Sequence, residues 1–180
     1  RQMCIRDRYS KEDLIINGNG TLNVNAGYRN GIKSTDDCII VSGTLNITST
    51  EDGIIGKDLC GIVAGDININ AGSDGIKSTY DTDTTKGNVI IEGGNITIKA
   101  SNDGIQAENI LVINDGTINI KTNNGAADTT QTHTDNMYMG RGGFGFNNNK
   151  TTTTTDDTAE SRKGIKAGNM LIINLSLIHI

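Results

Sequence analysis

What this sequence lacks narrows it first. It has no proline and no tryptophan, and aromatic residues fill only 3% of its 180 positions, so an ordinary globular core built around rings is not expected. No apolar run approaches the eighteen or so residues that span a bilayer, so no membrane span is expected in this segment. Lys and Arg (16) are outnumbered by Asp and Glu (21), and the resulting net charge of -5 argues against nucleic acid as a partner. What is abundant is Gly (23 residues), Asn and Thr, with Ile, Leu and Val placed singly between polar residues. That alternation is the pattern of half-buried strands, not of helices.

A phrase recurs. "NAGYRNGIKST" near the start is followed by "NAGSDGIKST", and the Gly-Ile pairs stand at Gly31-Ile32, Gly53-Ile54, Gly75-Ile76, Gly104-Ile105 and Gly164-Ile165. The intervals are 22, 22, 29 and 60 residues. An insertion at 80–86 ("YDTDTTK") accounts for the third, and a low-complexity loop at 123–163 for the fourth. One unit of 22 residues remains, the scale of a solenoid coil. Each unit reads as three short strands, typified by "CIIV", "TLNI" and the Gly-Ile segment.

In the second strand the pairs Leu22/Val24, Leu45/Ile47, Ile67/Ile69, Ile96/Ile98 and Ile118/Ile120 alternate with Asn, Thr and Lys. Stacking these strands in parallel, about 4.8 Å apart, builds a prism with aliphatic ladders inside. The fold class is therefore all-β, a parallel β-helix of about five coils over 11–174. Residues 1–10 and 175–180 follow neither the composition nor the period of the middle, and we set them aside as non-repeat tails that are not native. Cys38 and Cys60, one coil apart at the same inward position, are expected to be buried free thiols.

Several columns could carry chemistry. Asp52, Asp74 and Asp103 precede Gly-Ile in successive coils, with Asn30 before them. In register, their carboxylates would lie within about 5 Å of one another, where like charges disfavour ionisation unless a cation or donor intervenes. A second column runs through Asp36 or Asp37, Asp58, Asp81 or Asp83, and Glu108. Hard oxygen donors without His or Cys suit Ca²⁺, whereas Asp-Gly as plain turn chemistry is the competing reading. Outward Lys33, Lys77 and Lys166 follow Gly-Ile, and Lys99 and Lys121 lie on the second strand. Together with Tyr80 they could hold a polyanionic chain, or serve only as a solvated face. The outward column of Asn23, Asn46, Asn68 and Asn119 reads as a structural amide ladder.

The motifs "DLIINGNGTLNVNA", "DGIKST", "KGNVIIEGGNITIKASNDGIQAE" and "KGIKAGNMLIIN" resemble a family of bacterial carbohydrate-binding domain proteins. The resemblance implies a right-handed parallel β-helix similar to pectate lyases, binding to polygalacturonate and cellulose-type glycans, bound Ca²⁺ and a location outside the cell or on its surface. It directs attention to the acids of "DGI", and the chain departs from it at Asn30 and at Ile55.

Three functions compete. Non-catalytic binding of a uronate-containing polysaccharide by a calcium-assisted monomer fits the scarcity of aromatic rings, on which neutral sugars are usually held. A calcium-dependent lyase would use Lys77, beside Asp74, Asp81 and Asp83, as the base that removes the proton α to a carboxylate. A structural surface repeat needs no site at all. The third coil collects the most carboxylates, so the metal set expected is Asp52, Asp58, Asp74, Asp81, Asp83, Asp103 and Glu108.

Overall fold

A computed structural model describes residues 8–122, 162–174 and 177–180. Every described element is a strand, and every strand pairs in parallel with its counterpart one coil away. Sheet A holds the short Gly-Ile strands, Arg8–Ser10, Ile32–Ser34, Ile54–Gly56, Ile76–Ser78, Ile105–Ala107 and Ile165–Ala167, stacked in that order. Sheet B stacks Leu14–Ile16, Asp37–Ile40, Leu59–Ile62, Asn88–Ile91, Ile110–Ile113 and Met170–Ile173. Sheet C stacks Thr21–Ala26, Thr44–Ser49, Asp66–Ala71, Asn95–Ala100, Thr117–Thr122 and Leu177–His179. This is the parallel β-helix that the repeat predicts.

Each sheet has six strands, where about five coils were expected. In sheets A and C the sixth strand comes from the ends, Arg8–Ser10 pairing with Ile32–Ser34 and Leu177–His179 with the Thr117–Thr122 strand, whereas all six strands of sheet B lie within 11–174. Most of the loop at 123–163, with His133, Arg141, Phe144 and Phe146, lies outside the described residues, as does Cys4.

The core consists of ladders. Leu45, Ile67, Ile96 and Ile118 stand in register across sheet C, as do Ile47, Ile69, Ile98 and Ile120. All of these residues are buried, and the outward positions between them are mainly exposed. Ile32, Ile54, Ile76 and Ile105 form the ladder of sheet A and are fully buried. Such removal of aliphatic surface from water supplies the main drive to fold. Cys38 and Cys60 face each other in register, both free and buried, and burial pushes the Cys38 thiol up to about 12.

The recurring glycine is fixed by proximity between coils. A Cβ on Gly75 would sit 2.4 Å from Cγ2 of Ile98 and 2.5 Å from the carbonyl oxygen of Gly104, which no side chain tolerates. The left-handed turns belong instead to the glycines before sheet C, such as Gly65 with φ of 121°. The insertion at 80–86 is pinned at both ends: Tyr80 N–H donates to the Lys57 carbonyl (3.0 Å) and Gly87 N–H to the Asp58 carbonyl (2.7 Å). No helix of the described residues is long and apolar enough to cross a membrane.

Candidate functional site

The aspartates before Gly-Ile stack as expected, and each is met by a donor from the next coil. Oδ1 of Asn30 accepts the backbone N–H of Asp52 (3.2 Å), Asp52 Oδ1 accepts that of Asp74 (3.0 Å), and Asp74 Oδ1 accepts that of Asp103 (3.0 Å). Asp103 Oδ1 then accepts the Lys163 N–H (2.6 Å). The column is thus a ladder of side-chain caps on successive turns, and those donors offset the like-charge cost. The second oxygens face lysines: Lys77 Nζ lies 2.7 Å from Asp74 Oδ2, and Lys166 Nζ lies 3.6 Å from Asp103 Oδ2.

Burial opposes the charge on Lys77. The hydrogen bond and charge of Asp74, helped by Asp52 and Glu108, outweigh it and hold the ammonium above its ordinary pKa. A lysine kept protonated is a poor general base. It is well suited to pairing with an anion.

Beside this column lies the outward row of sheet A. Gln106 stands in register between Lys77 and Lys166, largely buried, with its Nε2 donating to Glu108 Oε1 (2.8 Å). A cavity of about 360 Å³ opens over them, lined by Asp74, Lys77, Asn102, Asp103, Gln106, Arg162, Lys163 and Lys166. Lys77, Arg162, Lys163 and Lys166 bring cationic residues to its lining, Lys77 and Lys166 beside the carboxylates of Asp74 and Asp103 with which they pair. Asn102 and Gln106 add amides able to bond hydroxyls.

The second acidic column forms only at its first step, where Asp36 and Asp58 stack and share a side-chain hydrogen bond. Asp58 pairs with Lys86, Glu108 with Gln106, and Asp83 accepts the Thr85 N–H (2.9 Å) and hydroxyl (2.7 Å) within its own turn, which lowers its pKa. Asp81 is exposed. The structure therefore does not gather Asp58, Asp81, Asp83 and Glu108 around one point, because the insertion's carboxylates are used in closing its own turn or turned to solvent.

One group of described acids does converge: carboxylate oxygens of Asp13, Asp36 and Asp37 lie within 4.8 Å of one another. A shared hydrogen bond with Asp58, then burial and the charges of Asp58, Asp13 and Asp37, raise the Asp36 pKa. Burial, with Asp13 and Asp58, raises that of Asp37. Asp13 Oδ1 accepts the Asp37 N–H (3.2 Å), as in the other ladder, but the three carboxylates still crowd one another. Converging hard oxygen donors are the set that Ca²⁺ takes, whereas Asp74 and Asp103 are paired with lysines.

The remaining predicted residues lie apart from the cavity. Lys57 and Lys86 stand over the ring of Tyr80, 4.7 and 5.1 Å from its centroid, in cation–π contact. Lys33 stands on sheet A further down the row. Lys99 and Lys121 are exposed in register on sheet C. There the amide ladder forms, Asn46 donating to Asn23 (2.8 Å) and Asn68 to Asn46 (3.1 Å). A shallow groove of about 220 Å³ lies beside it, lined in part by Asn46, Asn68, Thr97 and Lys99.

Sequence reasoning grouped Lys166 with the outward cations that could meet a polyanion, but it missed Asn102, Gln106, Arg162 and Lys163. The signal for Gln106 was its register with Lys77, and that for Lys163 its place before Gly164-Ile165, where earlier coils carry aspartate, while Arg162 arrives from the far side of the long loop and carries no such signal.

No curated protein matches the chain. Among solved structures, the chain is similar to a polysaccharide lyase-like protein from C. thermocellum, seen as a gadolinium derivative, with 27% identity and a TM-score of 0.72. The match covers 96% of this chain but only 54% of that one, so the chain spans about half the length of its solved relative. A profile described as carbohydrate-binding domain-containing protein matches residues 7–180. With nearly its whole length matched and a cavity of cations and amides on a parallel β-helix, the chain belongs to the family of carbohydrate-binding domain-containing proteins.

Proposed function

We propose that the protein binds an acidic, uronate-containing polysaccharide without cleaving it, at the cavity between Lys77 and Lys166. The observation that carries this reading is a cavity in which Lys77 and Lys166 flank the Gln106 amide, on the fold of a carbohydrate-binding family. Carboxylates of the glycan pair with the lysine and arginine side chains, and Asn102 and Gln106 meet its hydroxyls. Lys77, held protonated by Asp74, serves as an anion contact and not as the base of a lyase.

Calcium assists, and its donors are Asp13, Asp36 and Asp37, where oxygens converge without a lysine between them. Bound there, the ion supplies charge neutralisation for the acids of the first turns. The protein works outside the cell or on its surface, as a monomer, where such glycans are met.

Calorimetric titration with polygalacturonate, with and without chelator, tests this. Binding without growth of unsaturated-product absorbance is expected. Turnover would replace the reading with the lyase that the solved relative's name brings to mind, and the absence of both would leave a structural repeat.

A further inference from the structure

The outward row of sheet A has a second period. In register from the first coil to the last, it reads Tyr9, Lys33, Ile55, Lys77, Gln106, Lys166. Lysine occupies every second coil, and the coils between carry none. Coils rise by about 4.8 Å, so these ammonium-bearing positions repeat at about 10 Å along the solenoid axis.

Repulsion between like charges does not account for the alternation. On sheet C, Lys99 and Lys121 occupy adjacent coils in direct register, so this fold accepts lysines one coil apart. Nor is it an echo of the sequence repeat, because Lys33 and Lys77 are separated by two regular coils, and Lys77 and Lys166 by two coils that include the long loop. Equal steps in space arise from unequal steps in the chain.

Resting on the polysaccharide reading above, we infer that the glycan lies along the solenoid axis on sheet A and presents a carboxylate to the protein at every second sugar. In an extended chain each pyranose advances by roughly one coil, so alternate sugars fall beside Lys33, Lys77 and Lys166. The sugars between lie over Ile55, which is buried, and over Gln106, whose amide offers polar contact. Two kinds of chain present this pattern: a homopolymer of uronate in a flat two-fold ribbon, whose carboxylates alternate sides, and a copolymer with one uronate per disaccharide. From Lys33 to Lys166 is about 19 Å, a length of four coil steps, so an oligomer of about five sugars fills the row.

The test uses the whole chain with polygalacturonate and hyaluronan, the latter carrying one carboxylate per disaccharide, each as a length series. Affinity should climb to about five sugars and then level off. Tighter binding of the first assigns the ribbon, and tighter binding of the second the copolymer. The decisive variant moves one charge by one coil at constant net charge: Lys33→Gln with Tyr9→Lys, the latter position being exposed and outside the core. It should bind about fivefold more weakly, as Lys166→Gln should, the loss of one exposed ion pair. If the shifted variant and Lys166→Gln both bind as the parent does, the alternating row is overturned while the polysaccharide reading stands. If the parent binds neither glycan, the polysaccharide reading itself fails, and the row with it.

Discussion

Two groups of aspartates in this molecule have opposite fates. Asp52, Asp74 and Asp103 are stacked carboxylates whose charge is met by the next coil's N–H and by Lys77 or Lys166. Asp13, Asp36 and Asp37 are also brought together by stacking, yet they face mainly one another, and the pKa values of Asp36 and Asp37 rise. Stacking alone therefore does not make a metal site. Nor does a backbone donor decide it, since Asp13 Oδ1 also accepts the next coil's Asp37 N–H (3.2 Å). What sets the first group apart is that Asp74 and Asp103 each have a lysine on the second oxygen.

The strongest way to break this comparison is to remove a rung. Asp74→Ala strips the acceptor from the Asp103 N–H and leaves Lys77 half-buried without its partner. A loss of about 2–3 kcal/mol is expected in denaturant titration, the usual cost of an orphaned buried donor next to a charge. Asp74→Asn should cost clearly less, because Asn30 already serves as the acceptor for Asp52 in the equivalent place. Equal losses for the two variants would mean that the backbone cap contributes little and the ion pair carries the rung.

The other group should respond in the opposite sense. Asp36→Asn with Asp37→Asn removes the mutual repulsion, so the melting temperature without calcium should rise. The further rise on adding calcium, expected in the parent protein, should disappear. A calcium response that survives in this variant would move the ion elsewhere, with the Asp52–Asp74–Asp103 ladder the next place to look.

The architecture was legible because a solenoid writes its contacts once per coil: Ile32, Ile54, Ile76 and Ile105 announce the ladder of sheet A by spacing alone. The site was only half legible. Asp74 and Lys77 could be singled out, but their pairing with each other and with the Asp103 N–H depends on where the next coil's backbone lies. The insertion drew attention by its acids, whereas in the fold Asp83 closes its own turn and Lys86 neutralises Asp58. Lys163 stands before Gly164-Ile165 where earlier coils carry aspartate and so was within reach of the period, whereas Arg162 enters the cavity from the long interval, which the period does not describe.

The smallest expected effect is the dependence of stability on pH, and it separates the two groups by sign. Asp36 and Asp37 are raised above the ordinary value of 3.8, so the folded protein binds their protons more tightly than the unfolded chain does. Their contribution is fully present below that value and is lost as pH rises through the raised values. Lys77 is likewise raised, from 10.5, so its contribution persists through neutral pH and is lost only as pH climbs past its raised value in strong alkali. Melting curves across pH should therefore show a shallow decline on the acid side of neutrality and another at the alkaline end. Asp36→Asn with Asp37→Asn should erase the first and keep the second. Asp74→Asn should do the reverse, since Asp74 supplies most of what holds Lys77 charged. A single variant that erased both declines would show the two groups to be one coupled network, and the contrast between them would fall.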